Sequence, residues 1–346
     1  MKPVKVAQIG AYHDHAVPAF RSLLKQKDVF DFIGFAEVPS PAPNPILSPA
    51  NAAECAQVPQ YTIEELLAMD DLEAVVIECE EEKATAVALP FAKKGVAVYM
   101  DKPGSQNIAL FEELISVVQE KNLPFQMGYM YRYNPSVLHL HELIRRGELG
   151  EIFSVEAHMD CFHKPGKRQW LDKHKGGMMY FLGCHLIDAI YRIQGEPEEV
   201  IPMNMSTGID GVTAEDYGFC VLRYKNGVSF AKTCACEVNG FLRRQLVVTG
   251  TKGTYVIEPW EALKDGAQYS PSRFAPLTDH VHSWGKDASV PLDFGPYDRY
   301  DAMMRDFAEI VRGKENPYTP EYELNLFKLV MKCCGYTEPA ASAKED

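Results

Sequence analysis

Short runs of β-branched residues alternate with stretches of helical periodicity through the first 127 residues, and this alternation limits the possible folds more than any other feature. Strands are predicted at 4–9, 30–36, 74–77, 96–100 and 124–127. Helices are predicted between them, at 15–26, 63–69, 82–94 and 105–121. Strands that alternate with helices are typical of βαβ units, whose strands lie parallel in one sheet. Residues 1–127 are therefore predicted to form a doubly wound parallel sheet.

The pattern changes after residue 127. A helix at 135–146 leads into longer strands of alternating polarity, predicted at 152–160, 201–207, 217–224, 228–238, 243–249 and 253–257. Helices at 178–193, 300–311 and 321–334 accompany them, and the turn-rich stretch 263–296 is predicted to be a long surface excursion. Because 346 residues exceed one comfortable core, we expect a second α/β domain at 128–346, with a largely antiparallel open sheet.

Composition and charge exclude several classes of protein. Lys and Arg total 35 against 48 Asp and Glu, and a net charge of -13 disfavours nucleic acid or an anionic membrane as a partner. The apolar runs are too short to cross a bilayer, and the start of the chain has no signal-peptide pattern, so we expect a cytoplasmic protein. Nine cysteines without a CxxC pair favour reduced thiols over a disulfide framework or structural zinc.

Gly10 closes the first predicted strand just before a helix, where backbone N–H groups can face a pyrophosphate. The dinucleotide fingerprint has glycines two and five residues further on, but this chain has Tyr12 and His15 there. Tyr12 is the more serious departure, because its side chain lies where backbone must approach phosphate. Glu37 ends the second strand, where a carboxylate binds ribose hydroxyls and repels a 2′-phosphate. A Rossmann domain that prefers NAD over NADP is predicted, and a doubly wound domain without nucleotide is the alternative.

Histidines and acidic residues surround this turn. His13 and His15, with Asp14, are candidate metal ligands, but alternate residues at a strand-to-helix turn need not converge. They are predicted to line the phosphate turn, and no metal is expected. The glutamates of 78–82 precede a predicted helix, where capping is their favoured role. The residues predicted to lie at the cofactor are Gly10, Tyr12, His13, His15, Glu37, Glu80, Asp101 and Lys102.

Several motifs in order resemble the Gfo/Idh/MocA family, the relatives of glucose-fructose oxidoreductase and inositol dehydrogenase. The matching residues are Asp101-Lys102-Pro103, Tyr131-Arg132-Tyr133-Asn134-Pro135, the stretch 147–152, Gly176, Gly177, Gly183, His185, Asp188 and the stretch 250–254. They cover nearly the whole chain. Several motifs in sequence are far more specific than any one of them.

The resemblance implies hydride transfer between a nicotinamide and a ring carbon of a sugar, cyclitol or similar polyol. The family's lysine and histidine correspond to Lys102 and His185. Histidine titrates near neutral pH and suits the base that removes the hydroxyl proton. The Lys102 ammonium would orient that hydroxyl and hold a developing alkoxide. A surface lysine and a helix-packing imidazole are the alternatives.

An active cleft between the two domains is also expected. The helices are too few to cover both faces of the second sheet, and the resemblance implies that subunit association hides the other face in a dimer or tetramer.

Phe181 departs from the family pattern, which places an aspartate four residues before the histidine. On a helix this ring would lie beside His185 and replace a hydrogen-bonding carboxylate. Three explanations remain open: weaker or redirected dehydrogenase activity, compensation by another polar group such as Asp188, or chemistry without net oxidation. The last alternative is a keto-sugar or glycoside lyase or hydrolase. A binding or regulatory protein without turnover is a further one.

Other side chains are candidates for contact with a carbohydrate substrate. The residues predicted to bind it are Lys102, Tyr131, Arg132, Asn134, His158, Arg168, Trp170, Phe181, His185 and Asp188. For Asn134, capping of the next helix is the alternative. A metal site at His158, Asp160 and His163 is disfavoured, because strand alternation places His158 and Asp160 on one side and His163 on the other unless the strand has ended. Arg168 and Trp170 either cover a sugar face or lie exposed in a loop.

Overall fold

A computed structural model of the chain describes residues 2–11, 13–39, 53–278 and 288–336. The chain divides into two compact units that are each discontinuous in sequence. The first comprises the chain up to Leu138 together with 263–269 and 295–326. The second comprises 139–262, 270–294 and the chain from Phe327 onward. A single boundary after residue 127 would place the last two long helices in the second domain. The first unit, however, includes residues 295–326.

The first unit contains a six-stranded parallel sheet in the order β3-β2-β1-β4-β5-β6. Its strands are β1 (Val4–Ile9), β2 (Phe30–Ala36), β3 (Gln60–Tyr61), β4 (Ala74–Ile77), β5 (Ala97–Met100) and β6 (Phe125–Met127). Every residue of β4 and β5 is buried, as a strand covered on both faces requires. The predicted doubly wound parallel sheet is confirmed, and the short edge strand β3 is an addition to it.

Four helices connect these strands: α1 (Ala16–Lys25), α2 (Ile63–Ala68), α3 (Ala84–Lys94) and α4 (Ile108–Glu120). Thr62 and Glu65 form a capping box at the start of α2, and Asn107 caps α4. A later helix, α8 (Asp301–Val311), belongs to the same unit. The Ser22 hydroxyl on α1 donates to Asp301 at 2.8 Å, so this distant segment is fixed to the first helix.

The second unit contains an eight-stranded sheet in the order β16-β15-β12-β11-β7-β10-β9-β8. Its strands are β7 (Ile152–His158), β8 (Glu199–Pro202), β9 (Tyr217–Tyr224), β10 (Gly227–Cys234), β11 (Gln245–Gly250), β12 (Gly253–Ile257), β15 (Ser272–Pro276) and β16 (Val290–Leu292). The described pairs are antiparallel except for β7 with β10, so the largely antiparallel sheet is confirmed.

Two sequence expectations about this sheet are wrong. The stretch 263–296 is not simply a surface excursion, because β15 and β16 extend the sheet and β13 (Ala262–Lys264) pairs with β14 (Ala267–Tyr269). The strand predicted at 201–207 occurs as β8 and ends at Pro202. These segments are short and partly exposed, so the hydrophobic alternation that reveals longer strands is weak in them.

Four helices complete the chain: α5 (Pro135–Arg145), α6 (Pro165–Trp170), α7 (Cys184–Gln194) and α9 (Pro320–Cys333). The helix predicted at 178–193 is in fact a π-helical segment, Met179–Gly183, followed by α7. None of the helices in the described ranges combines the length and the apolar character needed to cross a bilayer.

Helix α7 packs on β7 and β10, and the opposite face of the sheet is only half-buried. The strand register puts Val247, Glu156, Phe230 and Val221 in one row across β11, β7, β10 and β9, and all four are half-buried. On the other face, neighbouring positions such as Val155 and Val248 are buried. One face therefore carries the core of this unit, as the open-sheet prediction requires.

Candidate functional site

Strands β1, β4 and β5 lie side by side in the first unit, so the segments that follow them meet at the carboxyl edge of the sheet. Gly10 follows β1, Glu78 follows β4 and Asp101 follows β5. Residues separated by up to about ninety positions in sequence are brought together by this strand order. The carboxyl edge is where open α/β sheets place their ligands.

Gly10 has the backbone geometry predicted for a tight turn. Its φ is +89°, and a Cβ at this position would lie 2.5 Å from the Cys79 backbone. Any side chain is therefore excluded, and the Gly10 N–H donates to the Ala36 carbonyl at 2.8 Å. Helix α1 begins shortly afterwards, at Ala16. Tyr12, which the sequence places in this turn, lies outside the described residues.

Glu37 directly follows β2, next to the Gly10 turn. It is exposed, and its Oε1 accepts a hydrogen bond from the Val38 N–H at 2.9 Å. Partial burial of the carboxyl group raises the pKa of Glu37, against the effect of this hydrogen bond. Glu37 therefore lies at the end of the second strand, and its role at a ribose stays a prediction.

A group of buried ionisable side chains lies at the same edge, and we call it the turn cluster. Its members are His13, His15, Glu78, Glu81 and Asp101. His13 Nδ1 and His15 Nδ1 lie 3.0 and 2.8 Å from the same Asp101 oxygen, Oδ2. The two imidazole centroids are 4.7 Å apart. Alternate residues in such a turn need not converge, but these two histidines do, because the turn aims both rings at the carboxylate that follows β5.

Lys83, and not one of the glutamates of 78–82, is the N-cap residue of helix α3, contrary to the sequence expectation. Helix α3 begins at Ala84, its first turn contains no acidic residue, and its N-cap Lys83 makes no side-chain capping bond. Glu78, Glu80 and Glu81 are instead buried. Glu80 lies 3.3 Å from the Lys83 ammonium. Sequence reasoning assigned Glu78 and Glu81 no site role, although the predicted order of parallel strands would have brought them to this edge.

Burial and mutual interaction shift the pKa values in the turn cluster in different directions. Burial and then the neighbouring Asp101 raise the pKa of Glu78. Burial alone would raise the pKa of Asp101, but His13 and His15 outweigh it and hold that pKa well below its ordinary range. Burial opposes a charge on His13, but Asp101 prevails and raises its pKa. Burial lowers the pKa of His15 to about 4. His13 and Asp101 thus each favour the charged form of the other.

Lys102 is the next residue after Asp101 and is buried, so it is not a surface lysine. Its backbone N–H donates to Asp101 Oδ1 at 2.6 Å. Its ammonium is close enough to influence the ionisation of His13 and Glu78. The predicted proton-handling lysine therefore lies beside the turn cluster.

The segment 131–134 was predicted to bind substrate, but its polar groups have partners within the first unit. Arg132 is buried and forms a two-pronged ion pair with Glu323, at 2.5 and 3.0 Å. Its guanidinium also lies 3.9 Å from the Tyr318 ring centroid. The Tyr131 hydroxyl accepts a hydrogen bond from Arg299 at 3.0 Å. These contacts give Arg132 a structural role.

Asn134 caps helix α5, the alternative named from the sequence. Its Oδ1 accepts hydrogen bonds from the Ser136 and Val137 N–H groups at 2.9 and 3.2 Å. Its Nδ2 donates to the Tyr297 hydroxyl at 3.0 Å. Both the oxygen and the nitrogen of the Asn134 amide therefore have hydrogen-bond partners within the protein.

In the second unit, His185 is buried in the first turn of α7, and Asp188 is buried one turn later. Phe181 lies in the preceding π-helical segment, so the α-helical spacing assumed for this residue and His185 does not apply. The Phe181 ring packs edge-on against Trp170, with centroids 5.8 Å apart. Phe181 therefore belongs to a hydrophobic cluster with Leu171 and other buried residues.

One of the two sequence expectations placed Arg168 in an exposed loop, and the structure does not bear this out. Arg168 lies buried in α6, where it pairs with Asp216 at 3.1 Å and with Asp210. Trp170 is half-buried, and the Lys167 ammonium lies 3.8 Å from its ring centroid. The ion pairs give Arg168 a structural function in joining α6 to the segment before β9.

His158 and Asp160 lie near the same charged groups but make different contacts. His158 packs against Phe230, with ring centroids 5.3 Å apart, and burial lowers its pKa to about 4. Asp160 is buried and lies 3.1 Å from the Lys232 ammonium. Burial raises the pKa of Asp160 to about 6 in spite of this cation. Within the described ranges, His158, Asp160 and His163 do not form a group that could hold a metal.

Residues 137–256 match the family model described as the GFO/IDH/MocA C-terminal domain. An oxidoreductase of Schizosaccharomyces pombe, C26H5.09c, is 28% identical over 245 residues, which cover 67% of this chain and 66% of that protein. The matched region thus spans slightly less than two thirds of that relative.

Solved structures share the fold over almost the whole chain. An oxidoreductase from Desulfitobacterium hafniense described as NADPH-dependent has a TM-score of 0.78 at 20% identity, covering 97% of this chain and 95% of its own. KijD10, a 3-ketoreductase from Actinomadura kijaniata solved with NADP and TDP-benzene, has a TM-score of 0.76 at 17% identity, covering 95% and 96%.

Arg132→Met tests the structural role of the Arg132–Glu323 pair. The variant leaves Glu323 buried without its cation, so the free energy of unfolding should fall by about 3–5 kcal/mol in urea titrations. Adding Glu323→Leu should restore most of this loss. Arg305→Met, which breaks an exposed pair with Asp28 in the same unit, should have a far smaller effect. A stable Arg132→Met protein with a raised KM would contradict the structural role and support substrate binding.

Asp160→Asn should flatten the pH dependence of stability. The pKa of Asp160 is about 6 in the folded protein and about 3.9 when unfolded, so only the folded state keeps this proton between these values. The free energy of unfolding should therefore fall as pH rises from 4 to 7, by about 1–3 kcal/mol more in the wild type than in the variant. Urea titrations at both pH values measure this difference. If the free energies of unfolding of the two proteins differ by the same amount at both pH values, this prediction is contradicted.

Proposed function

Since the chain belongs to the Gfo/Idh/MocA family of oxidoreductases, we propose that it is an NAD-dependent enzyme that transfers hydride to or from a ring carbon of a sugar, glycoside or cyclitol. The observation that carries this proposal is the buried Lys102 at the carboxyl edge of the parallel sheet. A buried ammonium is retained in proteins where its charge has a partner or a task. Its position after β5 is the one that the family motif requires.

The residues of the first unit fit one end of a dinucleotide. The Gly10 turn has no side chain to obstruct phosphate, and the start of α1 follows it. The exposed Glu37 carboxylate suits the two ribose hydroxyls and disfavours a 2′-phosphate, which supports NAD over NADP. NADPH or NADP is named for the two structural relatives described above, so the preference of this chain has to be measured.

His185 and Lys102 divide the proton chemistry in this proposal. Oxidation of a secondary alcohol removes a hydride from carbon and a proton from oxygen, and leaves a carbonyl group. A bound nicotinamide would supply the hydride acceptor, and His185 accepts the proton from the hydroxyl group. The Lys102 ammonium orients the hydroxyl and stabilises negative charge on its oxygen. Asp188, buried one turn after His185, is proposed as the carboxylate that replaces the family aspartate lost at Phe181.

Thermal unfolding with each dinucleotide, followed by turnover assays, tests this function. In protein shown to be free of nucleotide, NAD at 100 times its dissociation constant should add about 2.7 kcal/mol of stability, and NADP at the same concentration should add less. Glu37→Ser should reduce the difference between the stabilisation by NAD and the stabilisation by NADP. No stabilisation by either nucleotide would contradict the proposal.

The same proteins are then assayed for NADH formation with a panel of cyclitols, aldoses and glycosides. His185→Gln and Lys102→Met should each lower kcat by about 10²–10⁴-fold, while Lys93→Met, on an exposed helix face, serves as the matched control. Cofactor binding is measured on each variant, so that lost chemistry is distinguished from lost nucleotide. Unchanged turnover in both variants would contradict the assigned roles.

We also propose that a second copy of the chain covers the half-buried face of the eight-stranded sheet. The row of Val247, Glu156, Phe230 and Val221 exposes apolar area, and Phe219 stacks on Phe230 with centroids 5.5 Å apart. Such a face is typical of subunit interfaces. Sedimentation velocity should therefore give a multiple of 38.8 kDa, and Phe230→Lys should reduce it. A monomeric wild type at micromolar concentration would contradict this association.

A further inference from the structure

We propose that the turn cluster binds a divalent transition-metal ion through His13, His15 and Asp101, with Glu78 as a fourth ligand. One ring nitrogen of each histidine and one oxygen of Asp101 all lie within 4.8 Å of one another. His13 and Asp101 are buried, and the His15 side chain is 12% exposed. The site lies wholly within the first unit and does not depend on the proposed enzyme activity.

The donor atoms are close to the spacing that a metal ion imposes. Bonds of about 2.0–2.2 Å in a tetrahedral site separate neighbouring ligand atoms by roughly 3.3–3.6 Å. His15 Nδ1 and His13 Nδ1 lie 2.8 and 3.0 Å from Asp101 Oδ2, and Glu78 Oε2 lies 3.7 Å from His13 Nδ1. Coordination through His13 Nδ1 would replace the hydrogen bond that this atom accepts from the His15 N–H at 3.1 Å. To reach that spacing, the two histidine–Asp101 distances would lengthen by roughly 0.3–0.8 Å and the Glu78–His13 distance would shorten by roughly 0.1–0.4 Å.

Charge and hydrogen bonding also point to a cation. Glu78, Glu81 and Asp101 place three carboxyl groups in one buried region, beside the buried Lys102 ammonium. Neither oxygen of Glu78 has a hydrogen-bond donor among the described residues. A buried carboxylate is costly unless a cation or hydrogen-bond donors compensate it, and a metal ion supplies both charge and coordination. The alternative is that the excess charge is removed by protonation of Glu78.

The donor set selects the class of metal. Imidazole nitrogen suits zinc, iron, cobalt and related transition ions, whereas Mg²⁺ and Ca²⁺ prefer sites made only of oxygen. Two histidines with one or two carboxylates therefore favour Zn²⁺, Fe²⁺ or Co²⁺ over Mg²⁺ or Ca²⁺. A thiolate signature would reveal binding at one of the nine free cysteines instead.

Titration of the full-length, untagged protein with Co²⁺, after removal of metal with a chelator and without nucleotide, tests the site. Visible absorption should show one equivalent bound in a four- or five-coordinate environment, without a cobalt–thiolate charge-transfer band. Zn²⁺ should displace the Co²⁺, and Mg²⁺ should not. Absence of binding, or a thiolate band, would overturn the proposal without any variant.

Variants then assign the ligands. His15→Ala and Asp101→Asn should each weaken Co²⁺ binding by more than about 100-fold, since even the partners of metal ligands commonly contribute 10–100-fold. Glu78→Gln, which keeps the shape of the side chain, should weaken it less. His139→Gln, in the second unit, is the matched control and should leave binding unchanged. Circular dichroism verifies folding of each variant. Wild-type affinity in folded Asp101→Asn and His15→Ala would overturn the assignment.

Because nucleotide is left out of the metal titration, its outcome is independent of the cofactor test. A protein that binds NAD but no Co²⁺ would refute the metal site alone. A protein that binds Co²⁺ but neither dinucleotide would refute the proposed function alone.

Discussion

The side-by-side position of β1, β4 and β5 determines the chemistry of the first unit. Parallel strands deliver their carboxyl ends to one edge, so the turns after three separate strands share a small volume. Gly10 keeps that volume open because no side chain fits against Cys79. Ionisable groups from separate segments of the chain therefore lie close together at this edge and interact.

Burial gives these groups their properties. Carboxylates removed from water become harder to ionise, and imidazoles become harder to protonate, unless an opposite charge lies close. At the turn cluster the two effects compete: Asp101 stays ionised because two histidines face it, whereas Glu78 is held toward its neutral form. A nucleotide phosphate or a metal ion arriving at this edge would alter that balance. The proposed cofactor and the proposed ion therefore meet the same electrostatic conditions at the same edge.

A residue with a structural role can look like a site residue when only the sequence is known. Arg168 and Asp216 form a buried ion pair, and in the first unit Arg132 and Glu323 do the same. Arginine near a predicted cleft is a reasonable candidate for substrate binding, but its partner lies 48 residues away in one case and 191 in the other. A local motif does not contain these partners.

The sequence by itself determined the order and type of most elements, because hydrophobic periodicity and turn residues are local signals. It also placed Gly10, Glu37 and Lys102 just after strands of the parallel sheet and His185 in a helix, while their roles at a site stay predictions. Tertiary structure alone decided that His13 and His15 converge on Asp101, that the glutamates after β4 turn inward instead of capping α3, and that Arg132 and Arg168 are occupied by ion pairs. These outcomes depend on contacts between residues far apart in the chain, and such contacts form only when strand order and burial bring their side chains together.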